Sequence, residues 1–374
     1  MRICLSAANT LAYPQGGHLW VFLNWALGFR SLGCEVTWLD VVPVSMPVAE
    51  LEQRLAYLKK QLTPFGISAI AVDFISDEDC TRVLHDAKLP TVEEFGPFDL
   101  LFDLRYDLPS RLLKWARRSA LLDIDPGHLH VALQLGQYPQ PRHDLFFTIG
   151  ERIAECKYLP GTDRKWVHTP PCVYVPEWPV RLSSPDAPWT TVAHWWGSGW
   201  MPDLETGVHF CDDKRDGFEP FMDLPAKVSA RFELALTMGD HPAEKARIER
   251  HGFKVLDAQE VASTPTKYRE FIQQSAGEFS AVKPSCVRYQ TAWISDRTIC
   301  YLASGKPCVI EDTGPSAILP SGKGLHRVRN VEDAAGSLRK VRERYDEEAR
   351  EARALAESVF DARQICRRIL SMAT

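Results

Sequence analysis

Trp293-Ile294-Ser295-Asp296-Arg297-Thr298-Ile299-Cys300-Tyr301-Leu302-Ala303-Ser304-Gly305-Lys306-Pro307 reads as a helix with both ends marked. Ser295 or Asp296 supplies an N-cap, the apolar residues after it keep helical spacing, Gly305 stops the helix, and Pro307 opens a strand through Cys308-Val309-Ile310. A helix leading into a short apolar strand is the repeating unit of a parallel α/β sheet. At the start of such a helix the backbone N–H groups lack partners and the dipole is positive. The segment Ser295, Asp296, Arg297 and Thr298 is therefore a candidate anion site, with a diphosphate as the natural ligand. An ordinary capped helix uses the same residues and is the commoner case.

Working outward, the same alternation fills the chain. Residues 2–8 are apolar, a turn-rich stretch ends in Gly16-Gly17, a helical pattern runs from His18 to Ser31, and Gly33 precedes a second strand pattern to Val42. That helix is apolar around nearly its whole circumference, which requires burial on several sides. Further helices are expected near 48–62, 110–117 and 128–136, with strands near 67–75, 98–104, 120–124 and 145–149. Prolines at 160, 170, 171, 176, 179, 185 and 188 break the pattern into a linker between about 158 and 190. A second alternating region then has strands expected near 190–193, 232–236, 253–256, 279–282 and 308–310, and helices near 243–251, 266–276, 296–304 and 332–345. The expected fold is α/β, with two tandem Rossmann-like doubly wound domains facing a cleft. The first domain spans 1–175 and the second 176–355, and a tail at 356–374 is expected to return to the first domain.

A chain of 374 residues suits two cores of ordinary size. Its 45% hydrophobic and 25% charged residues are those of a globular protein, and a net charge of −5 gives no global field toward nucleic acid or anionic membrane. The ten cysteines lack any Cys-x-x-Cys pair and several lie in apolar runs, so they read as reduced buried thiols rather than disulfides or a zinc site. The start of the chain does not resemble a signal peptide, and no segment reaches the roughly 18 apolar residues of a membrane span. A cytoplasmic location is expected.

Several residues could carry chemistry. Gly16 and Gly17 allow close backbone approach to a ligand, and His18 beside them is a candidate general base or a packing residue. Asp123 and Asp125 project to one face at a probable strand end, where open α/β sheets bind ligands; they could orient His18, act as the base, or form a plain turn. Trp195, Trp196 and Trp200, near Gly197 and Gly199, offer an aromatic rim for an acceptor or a nucleotide base, or simply core packing. Lys283 follows a strand and is a candidate diphosphate contact. Arg105, Arg111, Lys114, Arg117 and Arg118 form a basic patch that reads as a solvated face or as a surface for an anionic acceptor, DNA included. His128 and His130 lack a third ligand type, so no metal site is expected.

The stretch from Gly277-Glu278-Phe279-Ser280 to Asp312-Thr313-Gly314 resembles the donor-binding half of GT-B glycosyltransferases, in which a helix ending in Ala-x-Gly-x-Pro is followed by a strand and a small-residue loop. Gly16-Gly17, the buried helix behind them and Gly33 are similar to the opening of the same fold. The likeness implies transfer of a sugar from a nucleotide diphosphate sugar, a UDP-sugar being the expected donor, with no separate cofactor. It adds Asp312, Thr313 and Gly314 to the candidate donor-binding residues. Many retaining members carry two glutamates eight positions apart here. Ala292 and Cys300 stand at those positions, which favours an inverting, metal-independent reaction with a histidine base. The acceptor is left open between a small molecule, a glycan and modified DNA. Alternatives are a DNA-base glucosyltransferase, a sugar-nucleotide epimerase or hydrolase, and a binding protein without catalysis.

Overall fold

The computed structural model describes residues 1–373 except Asp79, residues 156–163, Ser198 and Glu205. Seven strands form the first sheet: β1 (Arg2–Ala7), β2 (Glu35–Val42), β3 (Ile70–Phe74), β4 (Phe98–Asp103), β5 (Ala116–Asp123), β6 (Leu145–Thr148) and β7 (Trp166–His168), in the order β3-β2-β1-β4-β5-β6-β7. All are parallel. The second half contributes β8 (Trp189–His194), β9 (Trp200–Pro202), β10 (His209–Cys211), β11 (Phe232–Thr237), β12 (Phe253–Asp257), β13 (Gly277–Ser280), β14 (Cys308–Glu311) and β15 (Leu325–Val328). Six of these make a parallel sheet in the order β12-β11-β8-β13-β14-β15, and β9 and β10 pair antiparallel as a separate ribbon. In both sheets the order reverses beside the first strand, and ligand crevices open at that switch point.

The strands hold few polar residues because helices cover both faces; β3, for instance, is buried along its whole length. The helix Gly16–Arg30 lies where several layers meet. Its apolar surface contacts the sheet, the C-terminal helix Ala362–Ala373 and the second-domain helix Pro265–Gln274. Buried side chains of both halves join in one cluster: Trp20, Trp25 and Phe29 with Tyr268, Ile272, Ile299 and Leu302, and with Ile365 and Ile369 from the end of the chain.

Four sequence expectations are corrected. Residues 110–115 form a 3-10 turn rather than a helix, and β5 begins at Ala116, earlier than its apolar core suggested, because Arg117 and Arg118 occupy the open end of the strand. The proline-rich linker contains β7, whose three residues suffice to extend the sheet; Cys156 and the rest of 156–163 lie outside the described residues. The short ribbon β9–β10 and strand β15 fall between the elements expected. The basic patch does not exist as a surface: Arg105 is buried against Asp40 and Asp107, Arg111 is held by Asp73, and Arg117 and Arg118 sit at the opposite end of the sheet from them. The nine described cysteines are free.

Candidate active site between the two sheets

A cavity of about 570 Å³ opens beyond the carboxyl ends of both sheets. The first domain contributes Gly17, His18 and Asp125; the second contributes Lys214, Lys283 and the helix start at Ser295, Asp296 and Arg297. Two regions far apart in sequence, the loop after β1 and the helix Asp296–Ala303, thus face one space.

The helix start is capped as its sequence suggests: the Ser295 hydroxyl accepts from the Arg297 N–H at 3.2 Å. The Arg297 side chain, however, turns inward. It donates to Glu278 at 2.6 Å, to Ser280 Oγ at 2.7 Å and to the Val192 carbonyl at 3.0 Å, so its charge is matched by a fully buried carboxylate. Thr298 is buried in the helix. Asp312 is ion-paired with Arg327 and Arg329, Gly314 N donates to Asp312 at 3.1 Å, and Thr313 Oγ1 holds the Trp293 carbonyl at 2.6 Å. None of these three loop residues lines the cavity. Thr313 thereby holds Trp293, whose indole N–H crosses to the Ile124 carbonyl of the first domain at 3.2 Å.

On the first domain, the Gly16 N–H donates to the Ala262 carbonyl at 3.2 Å, and Gly17 lies against the Tyr268 ring. These glycines serve domain contact; Gly17 also borders the cavity. The His18 Nε2 lies 2.6 Å from the Ala8 carbonyl. A carbonyl can only accept, so Nε2 carries the proton and Nδ1 is left as a base. Burial lowers the His18 pKa, which keeps the ring neutral. Asp125 is exposed at the cavity wall, and its backbone N–H donates to the Tyr106 hydroxyl at 3.0 Å and to Asp123 at 3.1 Å. Asp123 itself is fully buried, accepts from Thr148 Oγ1 at 2.8 Å, and does not line the cavity. Burial pushes its pKa up to about 7.

Of the tryptophans, Trp196 lines the cavity, its indole bound to the Met238 carbonyl at 2.9 Å. Trp195 is fully buried with its N–H on Glu244, so its ring is closed to ligands, and Trp200 is exposed on β9 outside the cavity. Sequence reading missed Lys214. It is buried, lines the cavity and donates to the Ala281 carbonyl. No carboxylate among the described residues is ion-paired with it. Desolvation, then the nearby Arg297 charge, lower its pKa to about 7. Its neighbours Asp212-Asp213-Lys214-Arg215-Asp216 are all charged and read as a solvated turn, so the sequence carried no signal of a buried lysine. Asp212 was also missed; it is buried and receives Ser285 N at 2.8 Å and Ser285 Oγ at 3.0 Å. Among the described residues one group has metal-like spacing, Cys211, Asp213 and Asp216, and none of the three borders the cavity.

No family model matches the chain, and no curated protein matches it in sequence. Solved structures do. HepE from Anabaena, in complex with UDP and glucose, superposes with a TM-score of 0.61 at 12% identity, covering 100% of this chain and 99% of that one. AviGT4, a glycosyltransferase of avilamycin A biosynthesis, gives 0.56 at 12% identity over 100% and 97%. An α-glucosyltransferase in complex with UDP-glucose and DNA containing an abasic site gives 0.60 at 16% identity over 100% and 99%. With two parallel sheets facing a cleft and end-to-end superposition on these proteins, the chain has the GT-B glycosyltransferase fold.

Proposed function

We propose that this protein is a glycosyltransferase that moves a sugar from a UDP-sugar to an acceptor hydroxyl in the cavity between its domains. The observation that carries this reading is Lys214, a buried cation with no ion-pair contact to a carboxylate among the described residues, lining the same cavity as Lys283 and the start of the helix Asp296–Ala303. Burying a charge without an ion-pair contact is costly, and an anionic ligand offsets the cost. A diphosphate fits two lysines and free helix amides, and these groups supply the positive charge a metal supplies elsewhere. Superposition on structures holding UDP or UDP-glucose supports the uridine nucleotide.

In this reading His18 Nδ1 takes the proton of the acceptor hydroxyl as its oxygen bonds to the anomeric carbon. The bond from that carbon to the diphosphate breaks, and its electron pair leaves with UDP toward Lys214 and Lys283. Asp125 favours the imidazolium that forms. Attack opposite the leaving group inverts the anomeric configuration. An α-linked product from UDP-α-glucose would instead make the departing diphosphate the proton acceptor and remove His18 from that role.

The test is titration calorimetry with UDP-glucose on Lys214→Met. Loss of the cation is expected to weaken binding about 30-fold or more, equivalent to about 2 kcal/mol. Affinity within about threefold of the parent would overturn the reading. Incubation with donor alone separates transfer from epimerisation or hydrolysis, and binding without turnover on any acceptor would mark a non-catalytic protein. The first-domain arginines give DNA as acceptor no support, because Arg105 is buried and Arg111 is held by Asp73.

A further inference from the structure

We infer that the acceptor end of the cavity takes an uncharged or amine-bearing polyol and rejects acceptors with a phosphate or carboxylate near the reacting hydroxyl, because Asp125 and Asp296 face that space from opposite domains with no cation paired to either among the described residues. The inference rests on the sugar-transfer reading above and narrows it.

The charges of the cavity are unevenly committed. Arg297 is neutralised by Glu278, and Asp212 is occupied by Ser285. Lys214 and Lys283 remain for the diphosphate. Asp125 and Asp296 remain, one on each wall, and they are close enough for Asp125 to disfavour ionisation of Asp296, so Asp125 is the standing acceptor and Asp296 a carboxyl that can accept or donate. His18, with Nδ1 unprotonated, is a third acceptor. The first-domain cations that could reverse this balance, Arg105 and Arg111, are spent on Asp40, Asp107 and Asp73.

Away from the two lysines the ionisable acids of the lining, Asp125 and Asp296, favour ligands rich in donors. Two hydroxyls of a sugar ring, or a hydroxyl and an ammonium, satisfy both acids with hydrogen bonds, charge-assisted wherever the acid is ionised. A phosphorylated or uronic acceptor places like charge against them, and so does a nucleic-acid backbone. The half-exposed Trp196 and Trp293 rings offer the flat apolar surface that a pyranose ring also needs.

The experiment first measures UDP binding, which reports on the donor reading by itself. UDP-saturated protein is then titrated with glucose, glucosamine, glucuronate and glucose 6-phosphate. Glucose and glucosamine are expected to bind at least about tenfold more tightly than the two anions, and Asp125→Asn and Asp296→Asn each to shrink that ratio to about threefold or less. If UDP binds while the anions bind as tightly as glucose, or none of the four binds, the inference falls and the donor reading stands. A ratio unchanged in both variants also overturns it, since the carboxylates would then not be its source. If UDP itself does not bind, both fall.

Discussion

Four strands of the first sheet carry buried aspartates toward their carboxyl ends, and three of these have a basic partner: Asp40 with Arg105, Asp73 with Arg111 and Asp103 with His143. Asp123, the fourth, has hydroxyl and backbone partners instead. Its pKa rises from 3.8 to about 7 on folding, so between those values the native state holds a proton that the unfolded chain has released. Its contribution therefore falls as pH rises from about 4 to about 7 and is flat above. Asp123→Asn is expected to raise the melting temperature at about pH 8 and to flatten its slope between about pH 5 and pH 8, measured by thermal melts. Burial lowers the Lys214 pKa to about 7, and the side chain binds a diphosphate only as a cation. UDP-glucose affinity should thus be highest below about pH 7 and fall toward about pH 9, by up to about tenfold per unit, in calorimetric titrations. Lys214→Arg, which stays charged, is expected to lose most of this dependence.

Among the elements, the helix Lys214–Phe218 is closely seated. It is five residues long and rests on the backbone after β13, where a Cβ on Gly217 would overlap the Val282 carbonyl. Gly217→Ala is expected to lift the helix, costing about 1–3 kcal/mol in denaturant unfolding and weakening UDP-glucose binding with it. A change that lowered stability but left affinity unaltered would show that Lys214 is placed by its carbonyl contact alone. The ribbon β9–β10 bridges the halves: Met201 packs with Leu121, Leu129 and Val131 of the first domain, and Tyr289 joins the same cluster. Its six paired residues carry no period long enough to be read from sequence.

At the scale of the molecule one apolar cluster runs through both halves by way of the helix Gly16–Arg30, beside a second core confined to the second half. One calorimetric transition is expected rather than two, and UDP-glucose at about 100 times its Kd should raise the whole transition by about 2.7 kcal/mol of stability. The helix Ala362–Ala373 buries Ile365, Cys366 and Ile369 against the first domain, with Cys366 beside Trp25 and Gly28. Deleting residues 361–374 is expected to cost more than about 4 kcal/mol in urea unfolding, given about 1.5–3 kcal/mol for each large buried side chain.

The sequence by itself determined the alternation of apolar strands and helices, the cap at Ser295, and the all-round burial of the helix after Gly16-Gly17, because these depend on residues three or four apart or fewer. It also brought His18, Asp125, Lys283 and Ser295 into consideration one at a time, each beside an ordinary use. Only the tertiary structure decided which of them share a cavity, that Arg297 belongs to Glu278 and Asp312 to Arg327, that Trp195 is core, and that Lys214 is a buried cation. Those outcomes depend on partners tens to hundreds of residues away and on how much water is excluded around each charge. Neither distance nor dielectric is written in the local pattern of a chain.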